Sequence, residues 1–148
     1  MAIEKSIFSL INTNAIVIFE QADVIFGSSQ IMNTGVGVES LPKIIFYKNS
    51  IETYDTKGTT GLMSGRSTLD LATIKIDIFS TSAIQMDTLG MAVRNTLDRY
   101  SGTIAGCEVQ SIRYTNESNE FSFDNGISNK GWFMITQYYD ARFVPQYS

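Results

Sequence analysis

The clearest pattern of hydrophobic and polar positions lies in residues 71–100. Ile74, Ile76 and Ile78 alternate with polar residues, a period of two that is typical of a half-buried β-strand. Apolar residues then recur at steps of three and four, which predicts an amphipathic helix over about residues 82–100. This stretch is therefore predicted to be a strand followed by a helix that buries one face. The apolar positions of the helix are Met86, Leu89, Val93, Leu97 and Tyr100.

The first third of the chain carries shorter patterns. Residues 3–11 have the apolar spacing of a short N-terminal helix. The β-branched and aromatic run at residues 15–19 predicts a buried strand, which residues 22–26 would extend past a bend. Residues 44–47 predict the next strand, and residues 49–54 would continue it.

The last third of the chain predicts more strands. Residues 108–114 read as a strand whose period shifts at residues 110–111, which indicates a bulge. Residues 116–120 are typical of a polar turn, and residues 132–139 predict the final strand. The expected fold is α+β: one mostly antiparallel sheet of about four to five strands, with the N-terminal helix and the main amphipathic helix on one face. The chain is expected to form a single domain, residues 1–148.

Two glycine-rich segments, residues 27–40 and residues 55–67, are predicted to be flexible loops. The first contains Gly35 and Gly37 but does not complete the spacing of a phosphate-binding loop, and no helix follows it. The second is long for a compact domain, and loops of that length are usually functional or disordered. Its basic residues Lys57 and Arg66 suit either contact with an anion or, more commonly, a solvated loop.

The amino-acid composition limits which catalytic and binding chemistry the chain can perform. The chain has no histidine and a single cysteine, Cys107, so it offers no histidine base and no internal disulfide. Cys107 is expected to be a small buried residue. A net charge of −4 argues against binding nucleic acid through phosphate neutralisation. No apolar run reaches the roughly eighteen residues of a membrane span, and no signal peptide is apparent, so a cytosolic setting is expected.

Only 18% of the residues are charged, below the average of about 25%. The surface is therefore weakly polar, which suits an ordinary monomer or a chain whose surface is partly buried against other subunits.

Carboxylates are the remaining candidates for catalysis. Asp70 and Asp77 flank the central strand, with Asp77 expected to face away from the isoleucines, and they suit a solvated face better than a weak metal site. Asp98 is expected to pair with Arg94 one helical turn earlier. No pair forms an acid–base motif, so we expect no enzyme activity, no cofactor and no metal site. The aromatic residues near the C-terminus suggest packing rather than a stacking platform for single-stranded nucleic acid: Trp132, Phe133, Tyr138 and Tyr139.

The order of these elements resembles the tail completion or tail terminator proteins of long-tailed bacteriophages. The similarity covers residues 1–143. It rests on the segment Leu41-Pro42-Lys43-Ile44-Ile45-Phe46-Tyr47, the alternating strand at residues 74–79 and the helix after it. Two closing strands that end near Phe143 complete the pattern. The chain departs from the family in a less alanine-rich helix and in a longer insertion between residues 20 and 40.

The resemblance implies a structural protein of the virion, assembled in the host cytoplasm. Its implied form is a homo-oligomeric ring, usually of about six subunits, at the head-proximal end of the tail. The ring would end the tail tube and contact the tube protein and the head connector. DNA would pass through its channel without sequence-specific binding, and no membrane would be involved. The candidate interface lies in the second loop: Lys57, Gly58, Gly61, Gly65 and Arg66.

Three other readings remain open. The chain fits another neck or head–tail adaptor protein of a phage. It also fits a non-viral α+β interaction module that acts as a monomer or dimer. A small enzyme that uses carboxylates or a bound metal is the third, and it is less well supported by the residues.

Overall fold

A computed structural model describes residues 2–26, 42–54, 69–123 and 131–144. The predicted loops at residues 27–40 and 55–67 lie outside the described residues. The elements are the helices α1 (Ala2–Asn12), α2 (Ala15–Phe19) and α3 (Ala83–Leu97), and the strands β1 (Asp23–Phe26), β2 (Lys43–Tyr54), β3 (Leu69–Ser80), β4 (Gly102–Ile104), β5 (Cys107–Phe123) and β6 (Gly131–Phe143).

The described strands form one curled sheet in the order β1-β2-β3-β6-β5-β4. Strands β1 and β2 pair in parallel, and every other neighbouring pair is antiparallel. The α+β class and the mostly antiparallel sheet are confirmed, with six strands in the described part of the chain. Among the described helices, none is both long and apolar enough to cross a membrane.

The predicted strand–helix unit is confirmed as β3 and α3. Ile74, Ile76 and Ile78 are buried with Leu89 and Val93 of the helix in one apolar cluster. Ser82 caps the helix, since its hydroxyl accepts a hydrogen bond from the Gln85 N–H at 3.3 Å. The helix ends at Leu97, three residues before the predicted boundary at Tyr100.

Helix α1 connects two distant parts of the sheet. The Ser6 hydroxyl donates a hydrogen bond to the carbonyl oxygen of Ile104 in β4, at 2.9 Å. A carboxylate oxygen of Glu4 lies 2.8 Å from the ammonium nitrogen of Lys48 in β2. Because β4 and β2 lie toward opposite edges of the sheet, these two contacts hold the curled sheet around the buried face of α1.

The strand predicted for residues 15–19 is wrong, because this segment forms α2. The side-chain oxygen of Asn14 accepts hydrogen bonds from the backbone N–H groups of Ile16 and Val17, at 2.9 and 3.2 Å. The cap provides hydrogen-bond acceptors for the first N–H groups of the helix. The β-branched composition of residues 15–19 favours a strand and does not indicate this cap. Residues 23–26 do form a strand, β1.

The turn predicted for residues 116–120 is also wrong, because β5 continues through it to Phe123. Strand β6 pairs with β5 along this whole length. The backbone of residues 116–120 therefore stays in a strand although its side chains are polar. The bulge predicted at residues 110–111 is confirmed by a register shift between Val109 and Ser111. The final strand is longer than predicted, since β6 includes Arg142 and Phe143.

Candidate functional site

The interface predicted from sequence is not among the described residues. Lys57, Gly58, Gly61, Gly65 and Arg66 all belong to the segment between β2 and β3 that the structure does not describe. Their role in assembly therefore stays a prediction, and the candidate surfaces below are built from other residues.

Helices α2 and α3 present apolar side chains to solvent. Phe19 is 82% exposed and Ile84 is 80% exposed. Helices α2 and α3 pack against each other, so apolar side chains exposed on both are candidates for an interaction surface. We call this set the α2/α3 surface, and it consists of Ile16, Ile18, Phe19, Ile84 and Met91.

The two helices are held side by side by polar contacts at both ends of α2. The side-chain amide of Asn14 donates a hydrogen bond to the Thr96 hydroxyl at 2.5 Å. At the other end, the side-chain amide of Gln85 donates to a Glu20 carboxylate oxygen at 2.9 Å. Val17 is buried in the core cluster, so the opposite side of α2 faces outward. The α2/α3 surface is therefore anchored to the core.

Two long strands have edge segments without a neighbouring strand in the described part of the chain. Strand β1 pairs only with residues 43–46 of β2, so residues 47–54 have a strand on one side only. Strand β4 pairs only with residues 107–109 of β5, and residues 115–123 likewise have a strand on one side only. Such edges offer backbone N–H and C=O groups to another chain.

These two edge segments lie at diagonally opposite corners of the sheet. Strand β2 and strand β5 are on opposite sides of the central pair β3–β6. The paired residues Asp70 and Phe143 mark one end of the central strands, and the paired residues Ser80 and Phe133 mark the other end. The open part of β2 lies toward the Asp70 end, and the open part of β5 lies toward the Ser80 end.

The two carboxylates of β3 do not form a joint site. Asp70 and Asp77 point to opposite faces of the sheet, since seven positions separate them, and they lie about 23 Å apart along an extended strand. Asp77 does face away from the isoleucines, but the expected solvated face is wrong, because both carboxylates are buried. One oxygen of Asp77 accepts a hydrogen bond from the Thr136 hydroxyl at 2.7 Å. Within the described ranges, no group of three potential metal ligands occurs.

The expected Arg94–Asp98 ion pair is replaced by other contacts. The guanidinium carbon of Arg94 lies 3.9 Å from the centre of the Tyr114 ring, which is a cation–π contact. One Asp98 carboxylate oxygen accepts a hydrogen bond from the Tyr114 backbone N–H at 3.0 Å. Both side chains therefore attach the end of α3 to β5.

Residues 133–139 alternate between the faces of the sheet, so they make no continuous aromatic platform. Tyr139 is fully buried in the helix-side core, and its hydroxyl donates to the Gln137 side-chain oxygen at 2.8 Å. Tyr138, the next residue, points to the other face. Cys107 is buried as expected, and burial raises the pKa of its thiol.

Comparisons with known proteins give a structural match but no sequence match. No family model matches the chain, and no curated protein does. Among solved structures, the chain is similar to one in a structure titled "Virion of native gene transfer agent (GTA) particle", with a TM-score of 0.60 and 9% sequence identity. The match covers 94% of this chain and 92% of that chain. At this identity the likeness establishes a shared α+β fold across nearly the whole of both chains.

Proposed function

We propose that this protein is a structural component of a phage-type virion that forms a ring at the head-proximal end of the tail. In this role it ends the tail tube and joins it to the head connector, and DNA passes through the ring without sequence-specific binding. The observation that carries the proposal is the nearly end-to-end fold likeness to a chain of the gene transfer agent virion. The order of elements in the sequence supports it independently.

The open strand edges support a ring in particular. A ring needs heterologous contacts, in which two different surfaces of each subunit meet. The open part of β2 and the open part of β5 are two different edges on opposite sides of one sheet. Pairing the β5 edge of one subunit with the β2 edge of the next would repeat around a closed ring without using the same surface twice.

The α2/α3 surface is a second feature in favour of contact with other chains. Its most exposed members are Phe19 and Ile84, and moving apolar area of this kind out of water lowers the free energy. Burial of such side chains at a subunit contact would stabilise the assembly, as in the apolar centres of known interfaces. Contacts of this kind need no catalytic group, cofactor or metal.

Measuring the oligomeric state of the protein and its effect on tube length tests the proposal. Light scattering coupled to size exclusion measures the mass of the purified protein alone and with the tail-tube protein of the same particle, and electron microscopy records its shape. We expect rings that bind one end of the tube and stop its growth. The variant Ile84→Glu places a charge in the α2/α3 surface and should reduce assembly. Asn95→Glu is the matched control on the same helix, at an exposed polar position.

A monomer at all concentrations that also fails to bind tube ends would contradict the proposal. So would a tube that grows to the same length with and without the protein. A ring in which Lys57 and Arg66 line the channel, with the acidic groups outside, would contradict unhindered passage of DNA, since basic residues attract phosphates.

A further inference from the structure

The outer edge of β5 is occupied as far as Tyr114. The Ile112 N–H donates a hydrogen bond to the carbonyl oxygen of Tyr100 at 3.0 Å, and the Arg99 N–H donates to the carbonyl oxygen of Ile112 at 2.6 Å. Next along this edge, a carboxylate oxygen of Asp98 accepts a hydrogen bond from the Tyr114 N–H at 3.0 Å. Because this N–H already has a partner, a strand of another chain finds free backbone groups on β5 only beyond Tyr114.

The outer edge of β2 is occupied at one end in a similar way. Strand β1 ends at Phe26, which pairs with Phe46. In the described part of the chain, the open part of β2 therefore comprises residues 47–54, and the open part of β5 beyond its bulge comprises residues 116–123. These two open segments have the same length, and each is closed at one end by another part of the subunit.

The strand directions determine how the two open segments can meet in a ring. Strands β2 and β5 run in opposite directions, because β2 is antiparallel to β3, β3 to β6, and β6 to β5. Rotation about a ring axis repeats every strand with the same direction in each subunit. A sheet that continues from β5 of one subunit into β2 of the next is therefore antiparallel at the contact.

The faces of the sheet restrict the register of this contact. Residues that pair in a continuous sheet lie on the same face, so the register can change only in steps of two residues. Asn119 lies on the helix side, because it pairs with the buried Ile135. Ile51 lies on the same side, because it pairs with the buried Ala72. Asn119 can therefore lie opposite Ile51.

The closed ends then select one register among those that remain. With Asn119 opposite Ile51, the two open segments overlap along nearly their whole length, and the bulge of β2 lies between residues 48 and 50. A shift by two residues in one direction would bring the end of β2 beside Tyr114, whose N–H is already bonded to Asp98. The opposite shift would leave the first two residues of the open β5 segment without partners. This register therefore pairs more residues than its neighbours do.

We propose that the open part of β5 pairs in antiparallel orientation with the open part of β2 in the next copy of this chain, with Asn119 opposite Ile51. Asp98 is a positioning residue in this contact, since it fixes where the pairing begins. The pairing rests on the ring proposed above and adds the direction and register of its subunit contact.

Disulfide formation between subunits tests the register. Directly opposite residues have Cβ atoms about 4.5–5.5 Å apart and diagonal neighbours about 7–8 Å apart, so a disulfide favours the opposite pair. Asn119→Cys/Ile51→Cys should give a ladder of covalent multimers under mild oxidation. Glu117→Cys/Ile51→Cys is the matched control on the same side of the sheet, two residues away, and should give little. The natural Cys107 is buried and does not compete.

The role of Asp98 is tested in the same two cysteine pairs. Asp98→Asn keeps a side-chain oxygen that can accept the Tyr114 N–H, so the preference for the Asn119 pair should remain. Asp98→Ala frees that N–H and should let the strand slip by two residues, which raises the yield of the Glu117 pair. Thermal melting verifies that each variant folds.

Light scattering on the same samples separates this pairing from the proposed ring. Rings in which the Asn119 pair forms disulfides no better than the Glu117 pair would overturn the register and leave the ring intact. Equal yields in Asp98→Ala and Asp98→Asn would overturn the positioning role of Asp98. A protein that stays monomeric at all concentrations would overturn the ring and this pairing together.

Discussion

Glu4 and Lys48 join the N-terminal helix to the sheet through a contact of 2.8 Å between carboxylate oxygen and ammonium nitrogen. The Glu4 side chain is only 5% exposed, so this contact lies at a buried position of α1. Burial raises the pKa of Glu4, but the hydrogen bond from Lys48 and the nearby positive charges outweigh it. The net pKa therefore lies below its ordinary value of 4.5.

This contact predicts an acid-sensitive part of the stability. A carboxyl group whose pKa is lower in the folded state stabilises the fold above its unfolded pKa, and the contribution is lost as pH falls through the folded value. Glu4→Gln should therefore lower the melting temperature at neutral pH, and the deficit should shrink below about pH 4.5. Melting curves from neutral to acid pH measure this, with the exposed Asp87→Asn as control. A deficit that does not change with pH would contradict the assignment.

The core position Leu89 predicts a large loss of stability. Leu89 is fully buried against the sheet, and Leu89→Asp would place a charge there without a partner. We expect the subunit to unfold, with a loss of more than about 4 kcal/mol. Met91→Asp, on the exposed side of the same helix, should fold normally and assemble poorly. Circular dichroism measures folding, and light scattering measures assembly. A Leu89→Asp chain that folds would show that Leu89 does not belong to the core.

Asn14 is predicted to stabilise α2 in two ways. Its side-chain oxygen caps the helix, and its amide donates to Thr96 of α3. Asn14→Ala should lower the free energy of unfolding by about 1–2 kcal/mol, in the range of a lost N-cap. Chemical denaturation measures this, with the exposed Asn12→Ala as control. Equal stability in both variants would mean that α2 is not held by this residue.

Gly90 lies where α3 packs against β6, and its carbonyl oxygen accepts a hydrogen bond from the Gln137 side-chain amide at 3.0 Å. A Cβ atom at this position would lie 3.1 Å from the terminal methyl carbon of Ile135. Gly90→Val should therefore destabilise the fold by about 1–3 kcal/mol through overpacking. Adding Ile135→Val removes that methyl group and should recover part of the loss. A double variant that is destabilised by the sum of the single changes would contradict this contact.

The segment between β2 and β3, which the sequence predicts to be a loop, is expected to act in assembly and not in folding. Removing residues 58–65 should leave the thermal melting of the subunit unchanged and weaken ring formation. A variant that keeps the loop length but carries Lys57→Gln and Arg66→Gln tests whether charge or length matters. If the shortened chain fails to fold, the loop belongs to the core and this division of roles is wrong.

The strand–helix unit of β3 and α3 could be predicted because its apolar residues repeat with a single period for each element. The same holds for α1. The bulge of β5 could be predicted for a different reason, because the apolar period shifts at residues 110–111. The site surfaces could not be predicted in this way. Phe19 and Ile84 are far apart in sequence, so the α2/α3 surface exists only because α2 packs beside α3.

The α+β class, the lack of histidine chemistry and the buried face of α3 could all be predicted from the amino-acid sequence. Local periodicity encodes these properties, since each depends on a residue and its near neighbours. Two segments depend on their surroundings: residues 15–19 form a helix that Asn14 caps and that packs against α3, and residues 116–120 remain in a strand because they pair with β6. In both segments the hydrogen-bond partners come from elsewhere in the chain or from a capping side chain, and these outweigh the preference of the residues themselves.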